Sequence, residues 1–242
     1  MNLFLTQISL NFRNRGVLRD LGDPGSMHKT VMGCIDPDMT RTEAGLLYRL
    51  ESRDGRLIIL AQSTVPLQTD RLKLGSIPYA TEILSKDASS VIDWIEGGRL
   101  LRYVIHVKTI RKTANRNLLL READRFRGSH RERYLKKIED MAAKGKSIEV
   151  PIRRSETPEW WNEVSARNGM KVETAEISDT PSASVASVET GSRVPLRSAR
   201  ISGIAVVENA SAVKKALVHG IGMGRAYGLG LLSVGPAPSF GD

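Results

Sequence analysis

The chain has 242 residues and a mass of 26.6 kDa, with 40% hydrophobic and 26% charged residues, a composition typical of one large globular domain or two small ones. No apolar run approaches the roughly 18 residues that a membrane helix needs, and the N-terminus has no signal-peptide core. The single cysteine, Cys34, excludes an internal disulfide framework and a cysteine zinc site. These features predict a cytoplasmic protein without a segment that inserts into a membrane.

The charge is unevenly distributed along the chain. The formal net charge is +9, from 36 basic and 27 acidic side chains, and residues 102–146 alone hold 14 basic and 5 acidic ones, so the whole surplus lies in that stretch. Such a surplus favours a polyanionic partner, a nucleic acid or a membrane surface, while a solvated basic helix without a partner is the alternative. Aromatic residues make up only 5% of the chain, which argues against extensive base stacking on aromatic side chains.

Hydrophobic alternation and turn residues predict a first folding unit in the N-terminal half. Residues 2–12 alternate polar and apolar side chains, as a strand does. Asp23-Pro24 is a helix start, because Asp accepts from free amide groups and Pro loses no hydrogen bond at the first helical position. Ser52-Arg53-Asp54-Gly55 separates two apolar runs and predicts a hairpin. The predicted order is β-α-β-β-α-β, with strands at 2–12, 44–50, 57–63 and 100–110 and helices beginning at 23 and 89.

The same pattern begins again after a charged segment. Residues 113–146 predict a charged helical insertion or linker, in which Tyr134, Ile138 and Met141 form an apolar stripe and Gly128 breaks the helix. Strands at 148–152, 170–177, 199–207 and 229–234, helices at 157–169 and 209–220, and a mobile Ser- and Thr-rich loop at 179–192 follow. We therefore predict an α+β protein with two tandem ferredoxin-like (RRM-like) domains at 1–112 and 147–235, the insertion at 113–146, and a tail at 236–242.

The strongest local motif is the glycine-rich segment Gly220–Gly230, which holds five glycines in eleven residues. A dinucleotide or P-loop site needs a strand, then the glycines, then a helix, so that phosphate meets the helix N-terminus. Here the predicted helix precedes the glycines and a strand follows them, which excludes that class of nucleotide site, and no cofactor is predicted. Two interpretations remain: a backbone that approaches an RNA phosphate closely, with Arg225 supplying charge, or a tight turn that packs against the other domain.

The longer segment Gly220–Pro236 (GIGMGRAYGLGLLSVGP) resembles the C-terminal glycine-rich signature of the CRISPR-associated repeat-RNA endoribonucleases, and most closely that of the CasE family of the Cascade (type I-E) subtype. The opening FLTQISL, the hairpin GLLYRLES…LIILAQSTVP, the VPI strand and SGIAVV are also similar to segments of that family. The resemblance implies two RRM-like domains in tandem and metal-independent cleavage of the hairpin repeat of precursor CRISPR RNA. It also implies that the product stays bound as guide RNA beside other Cascade subunits.

His28 is the predicted general acid or base. It lies near the start of a helix, where the positive end of the helix dipole disfavours imidazolium and attracts phosphate, and the resemblance places the catalytic histidine of the family at His28. RNA carries its own nucleophile, the 2′-hydroxyl, so cleavage needs a base, a proton donor for the leaving 5′-oxygen and cations for the phosphate. Lys29 and Ser26 are predicted to assist, and no acidic cluster near His28 indicates a metal site. Surface or structural positions are predicted for the other histidines, His106, His130 and His219.

The chain departs from the family pattern at two places. In well-known members a tyrosine stands three positions before the catalytic histidine, where this chain has Gly25, and a basic turn with Asn-Pro is replaced by residues 106–112 (HVKTIRK). The first departure leaves open a second interpretation, a non-catalytic subunit that binds the RNA hairpin in the same assembly. A third, a regulatory domain for a small metabolite, does not explain the basic surplus.

Basic side chains and the glycine-rich segment are predicted to contact RNA, because A-form stems are recognised mainly by shape and backbone. Tyr227 is also predicted to approach His28 if the two domains face each other. The predicted partners are CRISPR repeat RNA or guide RNA and other Cascade subunits. The predicted RNA-binding residues are Lys108, Arg111, Lys112, Arg193, Arg197, Arg200, Gly222, Gly224, Arg225 and Tyr227.

Overall fold

The computed structural model describes residues 2–179, 183–186 and 193–238, without the side chains of residues 179, 183–186 and 193–195. The chain forms two compact units, one made of residues 1–108 and 161–242 and the other of residues 109–160. The second is called the inserted unit below, because the chain leaves the first unit to form it and then returns. Most of the loop predicted at 179–192 and of the tail predicted at 236–242 lies outside the described residues.

Twelve strands and seven helices are found in the described part of the chain. The strands are β1 (Phe4–Leu10), β2 (Leu47–Arg53), β3 (Arg56–Ser63), β4 (Ala80–Asp87), β5 (Leu100–Lys108), β6 (Ile110–Thr113), β7 (Ile148–Pro151), β8 (Met170–Asp179), β9 (Ala183–Ala186), β10 (Arg193–Leu196), β11 (Ser198–Val207) and β12 (Ser233–Pro236). The helices are α1 (Arg15–Gly22), α2 (Pro24–Met32), α3 (Ser90–Trp94), α4 (Arg116–Ala123), α5 (Ser129–Ala143), α6 (Thr157–Arg167) and α7 (Ala210–His219). Within that part of the chain, none of the helices has the length and apolar character that crossing a membrane requires.

The first sheet is antiparallel and has the strand order β2-β3-β1-β4, which places the first and third strands at its centre as in a ferredoxin-like unit. Asp54 and Gly55 connect β2 to β3 with φ angles of 51° and 72°, the left-handed backbone that a tight two-residue hairpin turn uses. The hairpin predicted over residues 52–55 is therefore confirmed. Met27 and Val31 of α2 are buried in the core of this unit together with Ile8 of β1.

The second sheet is also antiparallel, with the order β12-β5-β11-β8. Along the chain, β5, β8, β11 and β12 are the first, second, third and fourth strands of this sheet. Read from β8 to β12, the order is therefore second, third, first, fourth, which is also the order in the first sheet. Alternate residues of β5 are buried, among them Tyr103, whose hydroxyl oxygen accepts from Nε1 of the fully buried Trp161 at 3.0 Å. The predicted fold class, α+β with two ferredoxin-like units in tandem, is confirmed.

Several strands differ from the sequence-based prediction, and the last one, expected at 229–234, is β12 at Ser233–Pro236. The strand expected at 100–110 belongs to the second sheet and not to the first, because β5 pairs with β11 and β12. The fourth strand of the first sheet is β4, which the sequence pattern does not indicate because its side chains are mostly exposed; Leu84 is 55% exposed. The strand expected at 148–152 is β7, which pairs with β6 in a sheet of its own. The second sheet thus crosses the domain limits predicted at residues 112 and 147.

The inserted unit pairs β6 with β7 and packs α4 against α5 and β7. Ile138 and Ile148 are buried in its core, and Tyr134 and Met141 pack against them. The apolar stripe predicted in this segment is therefore confirmed. Gly128 separates α4 from α5 with a φ angle of 53°, as the predicted helix break requires.

Hydrogen bonds join the first sheet to the second ferredoxin-like unit within the larger compact unit. Gln62 Nε2 donates to the Leu217 carbonyl at 2.7 Å. The Tyr48 hydroxyl donates to the Ala226 carbonyl at 2.9 Å, and Arg49 Nη1 donates to the Leu231 carbonyl at 3.1 Å. Two of the three acceptors lie in or next to the glycine-rich segment. That segment is consequently fixed against β2, and the two sheets are connected by side chains that are themselves buried.

Candidate functional site

Helix α2 begins where the sequence predicts and for the predicted reason. The Asp23 carboxylate accepts from the Ser26 backbone amide at 2.9 Å and from the Gly25 amide at 3.3 Å, and Pro24 occupies the first helical position. The Ser26 hydroxyl also donates to Asp23, at 2.8 Å. This capping fixes the first turn, so that His28 follows it one turn into the helix.

The position of α2 is fixed by a buried carboxylate on α1. Asp20 is 1% exposed and accepts from the Thr30 hydroxyl of α2, from the Tyr79 hydroxyl at 2.9 Å, and from Arg19 at 2.7 Å. Helix α2 is also bound by an exposed arginine, because Arg71 Nη2 donates a hydrogen bond to the Thr30 carbonyl. The helix that carries His28 is therefore held by several hydrogen bonds besides its apolar packing.

His28 is half-buried on α2, and its Nδ1 atom is buried without a hydrogen-bond partner among the described residues. Burial lowers the pKa of the imidazole below its ordinary value, and the positive charge of Arg41 lowers it further. The ring is therefore neutral near pH 7. A neutral imidazole has a free nitrogen lone pair and can accept a proton, which is the state that a general base needs.

Two guanidinium groups belong to this part of the fold: the charge of Arg41 acts on His28, and the charge of Arg225 acts on Arg41. Arg41, in the loop between α2 and β2, is half-buried and donates from Nη1 to the Leu46 carbonyl at 3.2 Å. Arg225 donates from Nε to the Gly222 carbonyl and from Nη1 to the His219 carbonyl, each at 3.0 Å. Burial and the charge of Arg225 lower the pKa of Arg41. Backbone carbonyls therefore hold both cations in place.

The glycine-rich segment brings Arg225 to this position. A single 3₁₀ turn, Arg225–Tyr227, packs against α2 and β2 and lies between Gly224 and Gly228, which have left-handed φ angles of 84° and 79°. A Cβ atom at Gly230 would stand 2.7 Å from the Ile221 carbonyl oxygen, so a side chain there would force the loop apart. The turn is tightly packed and also presents a cation, so the two interpretations of the motif are compatible.

The structure brings together two elements that carry predicted site residues: helix α2 with His28, and the turn with Arg225 and Tyr227 that packs against it. Ser26 and Lys29 flank His28 in the sequence. The Ser26 hydroxyl is engaged in the helix cap, and Lys29 is exposed. The catalytic roles of these residues stay predictions.

The predicted RNA contacts fall in three parts of the chain, and their contact with RNA stays a prediction. Residues of the second sheet or beside it are Lys108 on β5, Arg200 on β11 and the exposed Arg197. Arg111 and Lys112 lie on β6 of the inserted unit, Gly222 and Gly224 lie in the glycine-rich segment, and the Arg193 side chain lies outside the described residues.

Arg41 is the residue near His28 that the sequence analysis does not find. It lies in a loop with no periodic pattern, and only the folded chain places it beside α2 and the glycine-rich segment. The one available signal is its position in the connection that follows the helix of the predicted catalytic histidine. Tyr48 is missed for a similar reason, since its hydroxyl meets the carbonyl of Ala226, 178 positions later in the chain.

A second histidine lies in a distinct polar cluster between the two sheets. His106 on β5 stands opposite Arg200 on β11, and its Nε2 atom is buried without a hydrogen-bond partner among the described residues. Burial and the positive charges of Arg49 and Arg200 lower its pKa to about 4, while Glu51 acts in the opposite direction. The prediction that His106 has a surface or structural position agrees with this partly buried, neutral ring.

The depressed pKa of His106 predicts a loss of stability in acid. Between its ordinary pKa of 6.5 and about 4, the unfolded chain binds a proton that the folded protein does not, so the free energy of unfolding falls as the pH falls through this range. From pH 7 to pH 5 this loss amounts to about 2 kcal/mol. In urea titrations at both pH values, H106Q should lose about that much less stability than wild type, and H130Q, at an exposed histidine, should behave as wild type. An equal loss in wild type and H106Q would contradict the prediction.

In the described ranges, no three His, Cys, Asp or Glu side chains come together as metal ligands would. The carboxylates near α2 are occupied, since Asp23 caps the helix and Asp20 binds Arg19, Thr30 and Tyr79.

Comparison with known proteins adds independent information. A family model described as CRISPR associated protein matches residues 3–236. A structure of the CRISPR endoribonuclease Cse3 bound to a 19-nucleotide RNA has a TM-score of 0.72 and 22% identity, covering 98% of this chain and 100% of that one. The CRISPR-associated protein Cas6e from Escherichia coli K-12 has a TM-score of 0.60 and 18% identity, covering 97% and 100%. A chain of a CRISPR RNA-guided surveillance complex has a TM-score of 0.59 and 22% identity, again covering 97% and 100%.

No curated protein sequence matches the chain. The identities to the solved structures are low, so these matches establish the fold, and they agree with the two ferredoxin-like sheets described above. The family model covers nearly the whole chain and includes both His28 and the glycine-rich segment. The resemblance predicted from the sequence is thereby confirmed, and the chain belongs to the family of CRISPR-associated proteins.

Proposed function

We propose that the protein is a metal-independent endoribonuclease that binds and cleaves the repeat hairpin of precursor CRISPR RNA. The observation that carries the proposal is a neutral, half-buried His28 beside Arg41, with Arg225 acting on Arg41 in turn, in a chain of this family. The fold shared with an endoribonuclease bound to RNA supports the choice of substrate. By analogy with the similar chain of a surveillance complex, the product stays bound as guide RNA and the protein joins other Cascade subunits.

The proposed reaction uses the 2′-hydroxyl of the RNA as nucleophile. His28 accepts the hydroxyl proton as the 2′-oxygen attacks the adjacent phosphorus, a new P–O2′ bond forms, and the P–O5′ bond breaks. The leaving 5′-oxygen takes a proton from water, and the proton held by His28 returns to solvent. The products are a 2′,3′-cyclic phosphate, or a 3′-phosphate after hydrolysis, and a 5′-hydroxyl. Lys29, exposed beside His28, offsets negative charge on the phosphate, and Ser26 holds the first turn of α2 in place.

Further basic side chains are candidates for contact with the RNA. Lys108, Arg197 and Arg200 lie on the second sheet or beside it, and the inserted unit carries Arg111 and Lys112. We propose that these cations contact phosphates of the hairpin stem, since such contacts supply affinity without reading bases. The same role is proposed for Arg193, Gly222, Gly224 and Tyr227.

One observation favours the alternative, a non-catalytic RNA-binding subunit of the same assembly. Gly25 stands where well-known family members have a tyrosine, and a Cβ atom added at Gly25 would have no neighbour nearer than the Asp23 carboxylate oxygens at 3.5 Å. The three atoms nearest to that position all belong to Asp23, the helix cap, and none belongs to a side chain that could replace the tyrosine. A protein with this vacancy would bind the hairpin without cutting it, or would cut it slowly.

Cleavage of a labelled repeat hairpin decides between the two functions. We expect the protein to cut the hairpin at one position in the presence of EDTA, and to leave intact a hairpin with a 2′-deoxynucleotide just upstream of the cut, because that hairpin lacks the nucleophile. Both hairpins should bind with the same affinity in a mobility-shift assay. Tight binding without cleavage of the all-ribose hairpin would establish the alternative, and cleavage only after addition of a divalent metal would overturn metal independence.

A further inference from the structure

The pair of guanidinium groups at Arg41 and Arg225 has no counter-ion in the described part of the chain. No ion pair there joins either arginine to a carboxylate, and the acidic residue nearest to Arg41 in the sequence, Glu43, accepts from the Thr40 amide and hydroxyl at 2.7 Å instead. Both arginines are bound to backbone carbonyls and are half-buried. Two like charges held together in this way raise the energy of the free protein, and a bound anion would remove that cost.

The remaining hydrogen-bond donors of the two arginines suit an oxyanion with several acceptors. A guanidinium has five N–H groups. Arg41 uses one nitrogen, Nη1, on the Leu46 carbonyl, and Arg225 uses Nε and Nη1 on two carbonyls, so each side chain keeps an Nη2 group that donates to no described residue. Planar guanidinium groups bind phosphate oxygens through parallel N–H bonds, which gives both strength and orientation.

We propose that Arg41 and Arg225 together bind the phosphodiester that is cleaved, holding its two non-bridging oxygens beside His28. This inference rests on the proposed function and adds to it a phosphate site built from the loop before β2 and from the glycine-rich segment. The negative charge on these oxygens grows as the fifth P–O bond forms, so donors fixed in advance stabilise the transition state more than the ground state. Arg41 has a second effect, because its charge keeps His28 neutral until the phosphate binds.

The other charged and titratable groups around α2 do not perform this role. Arg19 and Asp20 on α1 pair with each other, Asp23 caps α2, and Lys29 is exposed. Arg71 donates to the Thr30 carbonyl, and Tyr227, on the same 3₁₀ turn as Arg225, carries no charge in its protonated form. The side chains of β9, which also lies near α2, are not described. Among the groups described, Arg41 and Arg225 are therefore the pair whose charge an incoming phosphate would neutralise.

The test compares R41Q, R225Q and the double variant with wild type in single-turnover cleavage at saturating protein. Each single variant should cleave about ten- to a hundredfold more slowly. The double variant should be slower than either, but by less than the product of the two effects, because both side chains act on one phosphate. R41K keeps the charge without the planar fork and should be intermediate. R56Q removes a 69% exposed arginine of β3 as the matched control and should equal wild type. Unchanged rates in R41Q and R225Q would overturn the inference.

A second readout separates this inference from the proposed function and from misfolding. The titration of His28, followed by NMR, should shift to higher pH in wild type when the 2′-deoxy repeat hairpin binds, since Arg41 holds the negative phosphate beside the imidazole and is itself neutralised by it. In the free protein R41Q should also raise the pKa of His28, and the hairpin should then shift it little. If wild type binds the hairpin but cleaves nothing, the proposed function fails while this titration still tests the phosphate site. An equal hairpin-induced shift in wild type and R41Q, with both folded by circular dichroism, would refute the site.

Discussion

Replacing His28 by alanine should slow single-turnover cleavage of the repeat hairpin by about a hundredfold or more, the usual range for loss of a general acid or base. Hairpin affinity should stay near that of wild type, because the proposed phosphate contacts come from other side chains.

The pH dependence of cleavage by wild type follows from the pKa of His28. In the free protein the pKa of His28 is lowered by burial and by Arg41, so the fraction of neutral base is already high at neutral pH. At limiting RNA concentration, the wild-type rate should rise with pH to a plateau, with a midpoint below 6.5.

His130 supplies the matched control for this experiment. It is an exposed histidine in the inserted unit, so H130A changes the same residue type without touching α2. H130A should cleave as wild type does and show the same pH profile. A wild-type rate in H28A would remove His28 from the mechanism. A loss of hairpin affinity equal to the loss of rate would instead assign His28 to binding.

Replacing Arg49 by methionine should lower the free energy of unfolding by about 3 kcal/mol, as is typical when one partner of a buried ion pair is removed. Arg49 is 3% exposed, donates from Nε to Glu51 at 2.6 Å and from Nη1 to the Leu231 carbonyl at 3.1 Å. Methionine fills similar space but leaves that carbonyl and the Glu51 carboxylate without a donor. The measurement is the midpoint and slope of urea unfolding at pH 7.

Arg53 lies on the same strand, four residues further on, and serves as the control. Its side chain is 67% exposed and its ion pair with Asp54 spans 4.0 Å, so R53M should change the free energy of unfolding by less than about 0.5 kcal/mol. An unchanged midpoint in R49M would mean that apolar packing compensates fully for the lost bonds, as replacement of some buried ion pairs does. The idea that Arg49 stabilises the junction between the sheets would then be wrong.

The sequence predicts local structural features of this protein well, namely helix caps, turns and helix breaks. The cap at Asp23, the turn at Asp54-Gly55 and the break at Gly128 each depend on residues that are neighbours in the chain, and each lies where it is predicted. Strand pairing is different, because it depends on partners far away. β5 has the alternation of a core strand, but nothing within it indicates which of the two sheets it joins. β4 lacks even that alternation, because it is an edge strand with few buried side chains.

The residues of the candidate site also divide into those that the local sequence marks and those that only the folded chain brings to the site. His28 is found because a motif and a family resemblance mark its helix, and Arg225 because it lies in a recognisable glycine-rich segment. Arg41 carries no local mark, and its relation to both arises only when the loop before β2 folds over α2. Its effect on the pKa of His28 is likewise a property of the folded chain and not of any segment.

The order of strands in the two sheets has a consequence for synthesis on the ribosome. All four strands of the first sheet lie within residues 4–87, so that sheet, with α2 and His28 packed on it, can form while most of the chain is still being made. In the second sheet Leu101 of β5 pairs with Pro236 of β12, and the intervening 134 residues must be complete before that pairing closes. The glycine-rich segment immediately precedes β12. His28 is thus in place long before Arg225 arrives, and a nascent chain should hold a folded helix without a working centre until the last strand leaves the exit tunnel.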